Sequence, residues 1–326
     1  MATRTRASHR VGRARMWEYA AMFSKEIKMH GKRFVYLSFV TLALAISTVD
    51  AQGLKAISDT VVGGLLFPES AACDLEGQAI YVSQFVSALK PADKDGKGRI
   101  SKLALDGKMI EQQFLPAAGE VLNKPKGIWI AGKRLWVTDI DAVWVFDIET
   151  RKGRKLDLPG AQFANDVALR GNTLYISDNR LDAVFTVSPA DFLEAGQTPK
   201  ITQVASGQST NPNGVYPAQD GSMLLAGMGG PDQLRGIYAL GADGKVETLA
   251  SDLGRLDGLY QTTDGTLLAT DWASGSLFSW SPVGGRQTLA AGFQGPADFC
   301  VVPADDGLLV VVPDLVKGEL RLIRLQ

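Results

Sequence analysis

Six polar residues stand at the start of apolar segments that recur along this sequence at intervals of 39 to 57 residues. These head residues are Glu69, Lys126, Asn165, Asn213, Asp257 and Asp298. If they converge, their three carboxylates repel one another and are costly to remove from water without a counter-charge. Carboxylate and amide oxygens are the ligands that Ca²⁺ prefers, and the absence of His and Cys from the set disfavours zinc and copper. The set therefore predicts a divalent cation bound by oxygen, with Ca²⁺ as the favoured ion.

Each head residue also has a simpler explanation as a turn former. Asn-Asp, Asn-Gly and Asp-Gly are ordinary turn pairs, and Asn165, Asn213 and Asp257 each begin one of them. The metal-site hypothesis therefore depends on all six residues facing one point, which only the surrounding elements can arrange.

The segments that follow the head residues share one pattern. Residues 126–139 read KGIWIAGKRLWVTD, and residues 165–178 read NDVALRGNTLYISD. Each segment contains a polar head, an apolar run, a turn with glycine and a second apolar run, which predicts a β-hairpin. Further apolar runs separate successive hairpins, so that each of the six copies predicts up to four strands.

Four-stranded repeats of about 40 to 50 residues are typical of a β-propeller. We therefore predict an all-β fold, a six-bladed β-propeller with four-stranded blades. The last copy contains only three strands, and the segment at residues 57–64 predicts an N-terminal strand that closes this last blade. Because the innermost strands of all blades line one channel, the six head residues are expected to face the same end of it.

The first 51 residues predict an export signal that precedes the propeller. They contain nine Lys and Arg against three acids, and an uncharged run of 13 residues, FVYLSFVTLALAI, at residues 34–46. This run is shorter than the roughly 20 residues that span a bilayer and has the length of a signal-peptide core. Cleavage after Ala51 leaves residues 52–326 as the propeller, periplasmic or secreted and without stable membrane insertion. An uncleaved anchor is the alternative, and Met29 is an alternative start to Met1.

Charge and histidine content restrict the chemistry of residues 52–326. They contain 25 Lys and Arg against 32 Asp and Glu, a net charge of −7, which argues against a nucleic-acid partner. Both histidines of the chain, His9 and His30, precede this part. A Ser-His-Asp triad, a Cys-His pair and zinc held by histidine are therefore excluded for the propeller.

The motifs at four head residues resemble the six-bladed propellers of the SMP-30/gluconolactonase/LRE group, and the resemblance extends over residues 57–326. PES supplies Glu69, AND supplies Asn165, PNG supplies Asn213 and LDG supplies Asp257, in blades one, three, four and five. The resemblance implies a catalytic calcium or other divalent cation held by these four residues. It also implies hydrolysis of a lactone or related ester, with Asp257 as the general base.

The other two head residues depart from the family pattern. Lys126 in blade two either binds a carboxylate of the substrate or pairs with Glu69 and competes with the metal. Asp298 in blade six has no inherited role. We predict that Lys126 and Asp298, together with Trp272 after the hairpin of blade five, bind a small-molecule substrate. Several ester-hydrolysing relatives carry a His near the site, and residues 52–326 have none.

Alternatives to hydrolysis stay open at this point. One is a non-catalytic propeller of the NHL type that binds a small ligand or a protein. Another is binding of a sugar or small acid without hydrolysis, with Lys126 as the anchor. The oligomeric state is also open.

Two further sets of residues have structural interpretations. Asp139, Asp178 and Asp271 end the second strand of their hairpins, and we interpret them as turn caps. Cys73 and Cys300 lie on the innermost strands of neighbouring blades. They either form a disulfide or are buried as small apolar residues.

Overall fold

The strands of this protein form six antiparallel sheets of four strands each, and each sheet is one blade of a propeller. The computed structural model describes residues 53–230 and 232–326, so the signal peptide predicted for residues 1–51 lies outside the described residues. Within that described part there is no helix, and therefore none long and apolar enough to cross a membrane. The predicted all-β fold with six four-stranded blades is confirmed.

The strands follow one another through short turns and loops. The first twelve are β1 (Ala56–Val62), β2 (Pro68–Asp74), β3 (Ala79–Gln84), β4 (Arg99–Ala104), β5 (Met109–Leu115), β6 (Pro125–Ala131), β7 (Arg134–Asp139), β8 (Ala142–Asp147), β9 (Gly153–Asp157), β10 (Ala164–Arg170), β11 (Thr173–Asp178) and β12 (Ala183–Ser188). The second twelve are β13 (Lys200–Ser206), β14 (Pro212–Pro217), β15 (Met223–Gly227), β16 (Arg235–Leu240), β17 (Val246–Gly254), β18 (Leu256–Gln261), β19 (Leu267–Asp271), β20 (Ser276–Ser281), β21 (Gly285–Ala291), β22 (Cys300–Ala304), β23 (Gly307–Asp314) and β24 (Glu319–Leu325).

Blade six joins the two ends of the described chain. Blades one to five each use four consecutive strands, as in β2-β3-β4-β5, whereas blade six has the order β22-β23-β24-β1. Strand β1 lies antiparallel to β24, with Asp59 opposite Ile323 and Val62 opposite Leu320. The predicted closure of the last blade by an N-terminal strand is confirmed.

A disulfide also joins the first and last blades near the axis. Cys73 of β2 and Cys300 of β22 are bonded, with their Cα atoms 5.6 Å apart and a sequence separation of 227 residues. Of the two interpretations of these cysteines, the structure has the disulfide. Because a cross-link over a long loop restricts the unfolded chain, it contributes about 5 kcal/mol in the chain-entropy model.

Apolar side chains fill the spaces between neighbouring blades. Leu174 and Ile176 of β11, for example, pack in one cluster with Trp136 and Val143 of blade two. Strands in the middle of a blade are largely buried because a neighbouring blade covers each face, whereas outermost strands such as β5 and β13 are largely exposed. This packing holds the innermost strands against one another around the channel.

Innermost strands of five blades carry a β-bulge at the head residue. In β10 the register changes from Ala164 opposite Asp178 to Val167 opposite Ile176, which leaves Asn165 and its neighbour facing one residue of β11. Strands β2, β6, β14 and β18 change register at the same place. Bulges bend a strand and redirect its side chains. These five head residues therefore lie within strands, and the explanation of Asn165, Asn213 and Asp257 as turn formers is wrong.

A hydroxyl group on the second strand stabilises the bulge and connects it to the next blade. Ser177 Oγ accepts a hydrogen bond from the main-chain N–H of Asp166 at 2.9 Å and donates one to the carbonyl of Asn213 in blade four. Thr138 and Thr270 donate to the following blade in the same way. The head of one blade is thus fixed by a side chain of the blade before it.

Innermost strands approach so closely at the bulge that some positions after the head have no room for a side chain. A Cβ atom on Gly214 would lie 2.1 Å from the carbonyl oxygen of Asp257 in the next blade. A Cβ atom on Gly127 would lie 2.5 Å from the Cα atom of Asp166. Glycine is therefore needed at these positions for close approach of two strands.

We expect Gly214→Ala to lower the free energy of unfolding by about 2 to 3 kcal/mol, because the added methyl group overlaps the main chain of Asp257. Gly63→Ala is the matched control, since no atom of the described residues lies within 4 Å of its added Cβ. The control should change stability by less than about 0.5 kcal/mol. Urea unfolding followed by tryptophan fluorescence measures both, and equal stabilities would contradict the close-approach explanation.

Candidate functional site

Five of the six predicted head residues converge at one mouth of the channel. Each is the second residue of the innermost strand of its blade: Glu69, Lys126, Asn165, Asn213 and Asp257. All five are buried, and together with Trp272 they line one cavity of ≈ 290 Å³, here called the head cavity. A cavity of this volume is suited to a small molecule.

Asp298 does not occupy the head position of blade six. Pro296 pairs with Asp314 at the open end of the hairpin, so that the next residue, Ala297, aligns with Asn165. The carbonyl of Ala297 also accepts a hydroxyl hydrogen bond from the preceding blade, at 3.0 Å, as other head carbonyls do. The prediction that Asp298 is the head residue of blade six is wrong, because Ala297 occupies that position. The hairpin of this blade is longer than the others, and the repeat pattern in the sequence therefore indicated a position one residue too late.

Asp298 and Asp166 follow the head position and line a separate cavity of ≈ 170 Å³ on the channel. Asp166 accepts a hydrogen bond from the N–H of Val215 in blade four at 2.7 Å, and Asp298 accepts one from the hydroxyl of Ser70 in blade one at 2.6 Å. Burial raises the pKa of Asp298 to about 7. Burial and the charge of Asp298 raise the pKa of Asp166 well above its usual range. These aspartates connect neighbouring blades, and Asp298 does not line the head cavity where it was predicted to bind substrate.

A carboxylate at the end of the second strand holds the segment that leads into the head. This carboxylate belongs to Asp139, Asp178, Asp271 and Asp314 in four of the blades. Asp139 accepts a hydrogen bond from the N–H of Lys124, and Asp178 accepts one from the N–H of Phe163, both at 2.8 Å. Asp178 and Asp271 also cap the turn after the hairpin, which confirms that interpretation for them. Asp314 was missed, although its place at the end of the last hairpin marks it.

The two head carboxylates lie in surroundings that favour protonation. Burial raises the pKa of Asp257 to about 8, and the charge of Asp298 adds to this, while the hydrogen bond from Trp272 opposes it. Burial and the charge of Asp257 raise the pKa of Glu69 well above its usual range, against the lowering effect of Lys126. A further positive charge near these two carboxylates would therefore be stabilised.

Two buried oxygen atoms of the head cavity, Glu69 Oε2 and Asn213 Oδ1, have no hydrogen-bond partner in the described part of the chain. Buried polar atoms are nearly always paired, so these two are available to a ligand. Nowhere among residues 53–230 and 232–326 do three or more His, Cys, Asp or Glu form a metal-binding group. A cation here would depend on two carboxylates and two amides, those of Glu69, Asp257, Asn165 and Asn213. This all-oxygen set fits Ca²⁺.

Lys126 lies buried beside the head carboxylates. Its Nζ donates to the carbonyl of Lys124 at 3.2 Å and is 4.4 Å from the centroid of the Phe163 ring. Burial lowers the pKa of Lys126 to about 8, against the raising effect of Glu69. Glu69 Oε2 has no hydrogen-bond partner among the residues that the structure describes, so Lys126 influences that atom through its charge and does not bind it directly.

The loop between β3 and β4, residues 85–98, contributes to the wall of the head cavity through Leu89 and Pro91. The fully buried ammonium of Lys124 anchors this loop with hydrogen bonds to Ser87 Oγ and Asp95 Oδ2, both at 2.7 Å. Desolvation alone would raise the pKa of Asp95, but the hydrogen bonds from Lys124 and Ser87 outweigh it and lower the pKa to about 2. The loop is thus held by the charge and hydrogen bonds of Lys124.

Among the residues that line the head cavity, sequence analysis missed Phe163 and Arg255, which share one repeat position. Phe163 lies two residues before Asn165, and Arg255 lies two residues before Asp257. Lys124 has the same place before Lys126. A common repeat position was therefore the signal available in the sequence.

Comparison with known proteins finds the fold among solved structures. No family model and no curated protein matches the sequence. A candidate gluconolactonase is similar at 16% identity with a TM-score of 0.60, covering 84% of this chain and 94% of that chain. Virginiamycin B lyase from Staphylococcus aureus is similar at 13% identity with a TM-score of 0.56, covering 82% and 100%.

Both of these structures are six-bladed propellers. The shared feature is the fold. A chain in a nidogen/laminin complex is also similar, at 19% identity with a TM-score of 0.53, covering 70% of this chain and 92% of that chain. The six-bladed propeller implied by the resemblance to the SMP-30/gluconolactonase/LRE group is thus confirmed.

We expect Asp95→Asn to lower stability at neutral pH by about 1 to 2 kcal/mol, less than for a fully buried ion pair because Asp95 is partly exposed. The folded-state pKa of about 2 lies below the unfolded value. The contribution of the Asp95 carboxylate to the free energy of unfolding is therefore fully present above about pH 4 and is lost as the pH falls towards about 2. Melting temperatures of the wild type and variant should differ at pH 7 and converge in acid.

Asp93→Asn is the control for this comparison, because Asp93 is an exposed acid of the same loop, 4.0 Å from Lys90. It should melt like the wild type at all pH values. A difference between Asp95→Asn and the wild type that does not shrink in acid would contradict the charge-based anchor.

Proposed function

We propose that this protein hydrolyses a lactone or related carboxylic ester with a divalent cation in the head cavity, Ca²⁺ being the favoured ion. The observation that carries the proposal is the pair of buried, unpartnered oxygens, Glu69 Oε2 and Asn213 Oδ1, beside two carboxylates with raised pKa values. Glu69, Asn165, Asn213 and Asp257 would hold the cation. When bound, it supplies Lewis acidity towards a carbonyl and lowers the pKa of a bound water.

Asp257 is the proposed general base. Trp272 Nε1 donates a hydrogen bond to Asp257 Oδ2 at 2.7 Å, which fixes the orientation of the carboxylate. A base accepts a proton most effectively when its pKa lies near the working pH, and burial moves the pKa of Asp257 in that direction. The apolar side chains of Leu89, Pro91 and Phe163 restrict water around it.

Two other observations support a secreted or periplasmic propeller enzyme. The fold is similar to those of a candidate gluconolactonase and of virginiamycin B lyase. The composition of residues 1–51, with basic residues before an uncharged run, is that of an export signal.

A non-catalytic propeller of the NHL type, binding a small ligand or a protein, is the second candidate. Lys126 favours it, because a buried ammonium near Glu69 opposes the binding of another cation. Residues 53–326 also contain no histidine. Turnover by the wild type separates the two candidates.

Addition of Ca²⁺ should raise the melting temperature of the wild type, because a ligand specific to the folded state stabilises it by about 2.7 kcal/mol at a hundredfold excess over Kd. Glu69→Gln should lose most of this shift, since it removes one of two carboxylates of the proposed set. Asp305→Asn, an exposed acid in the β22–β23 turn, is the matched control and should keep the shift. Calorimetry with Ca²⁺ and with EDTA measures it. No shift with Ca²⁺, Mg²⁺, Mn²⁺ or Zn²⁺ would exclude the cation site.

Asp257→Asn should reduce kcat by at least about 100-fold on a lactone that the wild type hydrolyses, because an amide cannot accept the proton. The circular dichroism spectrum should remain, whereas the Ca²⁺-dependent shift should fall as in Glu69→Gln because Asp257 is the other carboxylate of the proposed set. The comparison of kcat is therefore made at saturating Ca²⁺, where Asp305→Asn should keep full activity. Steady-state assays on a panel of lactones and esters test this. An unchanged kcat would remove Asp257 from the mechanism, and no turnover by the wild type with any cation would favour the binding propeller.

A further inference from the structure

Two cations that line the head cavity have donor groups without acceptors. Lys126 is 0% exposed, yet among residues 53–230 and 232–326 its Nζ makes one hydrogen bond, to the carbonyl of Lys124. An ammonium has three N–H donors, so two of them are unused. Arg255 Nε is buried and has no hydrogen-bond partner within the described residues. Because unpaired buried charged groups are costly, a ligand that offers acceptors to these cations would gain affinity.

The nearby acids do not supply those acceptors. Asp139 and Asp178 both lie near enough to influence Lys126 through their charge. Their carboxylates are hydrogen-bonded to main-chain N–H groups, those of Lys124 and Phe163. They are therefore committed to the segments that lead into the heads.

The proposed cation would make the cavity more positive. The charge of Glu69 is the strongest opposing influence on Lys126, and Glu69 and Asp257 are the two carboxylates that a divalent cation would neutralise. Lys126 and Arg255 would then be without counter-charges in the cavity. A third cation, Arg180, lies close to Lys126 with its guanidinium 4.3 Å from the centroid of the Phe163 ring.

We propose that the substrate is anionic, a lactone or ester that carries a free carboxylate, and that Lys126 binds this carboxylate. Arg255 and Arg180 add positive potential at the mouth and attract the substrate. The inference rests on the proposed function for the reaction, but its binding part can be measured without turnover.

A matched pair of substrates tests the inference with the full-length chain and Ca²⁺. The pair is γ-butyrolactone with a γ-carboxylate and the same lactone with a γ-carboxamide, which differ in charge and hardly in size. The wild type should prefer the carboxylate in kcat/KM by about 10- to 100-fold, the range expected for hydrogen bonds to a charged group. Higher salt should reduce the preference.

Lys126→Met should lower the ratio to near 1, mainly through KM, because it keeps the length of the side chain and removes its charge. Lys102→Met is the matched control, because the Nζ of Lys102 also lies over an aromatic ring, 5.6 Å from the centroid of the Tyr81 ring. Lys102 does not line the head cavity. It should keep the wild-type preference. Arg255→Gln gives a second measurement that does not depend on the folding of Lys126→Met, and it should reduce the ratio in part.

Binding separates this inference from the proposed reaction. Tetrahydrofuran-2-carboxylate and its carboxamide, which have no lactone bond, are compared by titration calorimetry. If neither lactone is hydrolysed but the carboxylate binds selectively, the hydrolase proposal fails and the anion inference stands. If the neutral lactone is hydrolysed as well as the charged one, or if both tetrahydrofurans bind equally, the anion inference is overturned.

Discussion

The β-bulge in the innermost strand is the constraint on which the candidate site depends. It turns one residue of the strand towards the channel while the rest of the strand keeps its ladder. Hydroxyl groups such as that of Ser177 connect a bulge to the next blade by donating a hydrogen bond to the carbonyl of the next head residue. Glycines such as Gly214 allow the innermost strands of neighbouring blades to approach closely. The side chains at the channel mouth are therefore placed by main-chain geometry that runs around the whole ring.

Charge is the second constraint, because two acids and a lysine are buried together in the head cavity. The pKa values of Glu69 and Asp257 are raised and that of Lys126 is lowered, so burial disfavours the charged form of all three groups. Shifted pKa values of this kind are common at functional sites. The anchored loop above, held by Lys124 and Asp95, keeps the cavity partly closed to water.

Much of the fold was predictable because its signals are local. Hairpin patterns and glycine-bearing turns located the blades, the closing strand and five heads. Asp298 was misplaced because only cross-strand pairing, with Pro296 opposite Asp314, shows that Ala297 holds the head position. The direction of Arg255 and the distance between the two cysteines depend on how neighbouring blades pack, which repeat spacing does not contain. The Asn-Gly and Asp-Gly pairs were consistent with turns because glycine is common in turns. In the structure these glycines are needed because the innermost strands of neighbouring blades approach closely there.

Blade six shows what this architecture permits over evolutionary time. Ala297 has a head's hydrogen bond through its carbonyl, yet it presents no functional group to the channel. The scaffold therefore does not depend on which side chain a head carries. Descendants of such a propeller can exchange one ligand, base or anchoring cation at a time, as separate single mutations, without first having to redesign the blades.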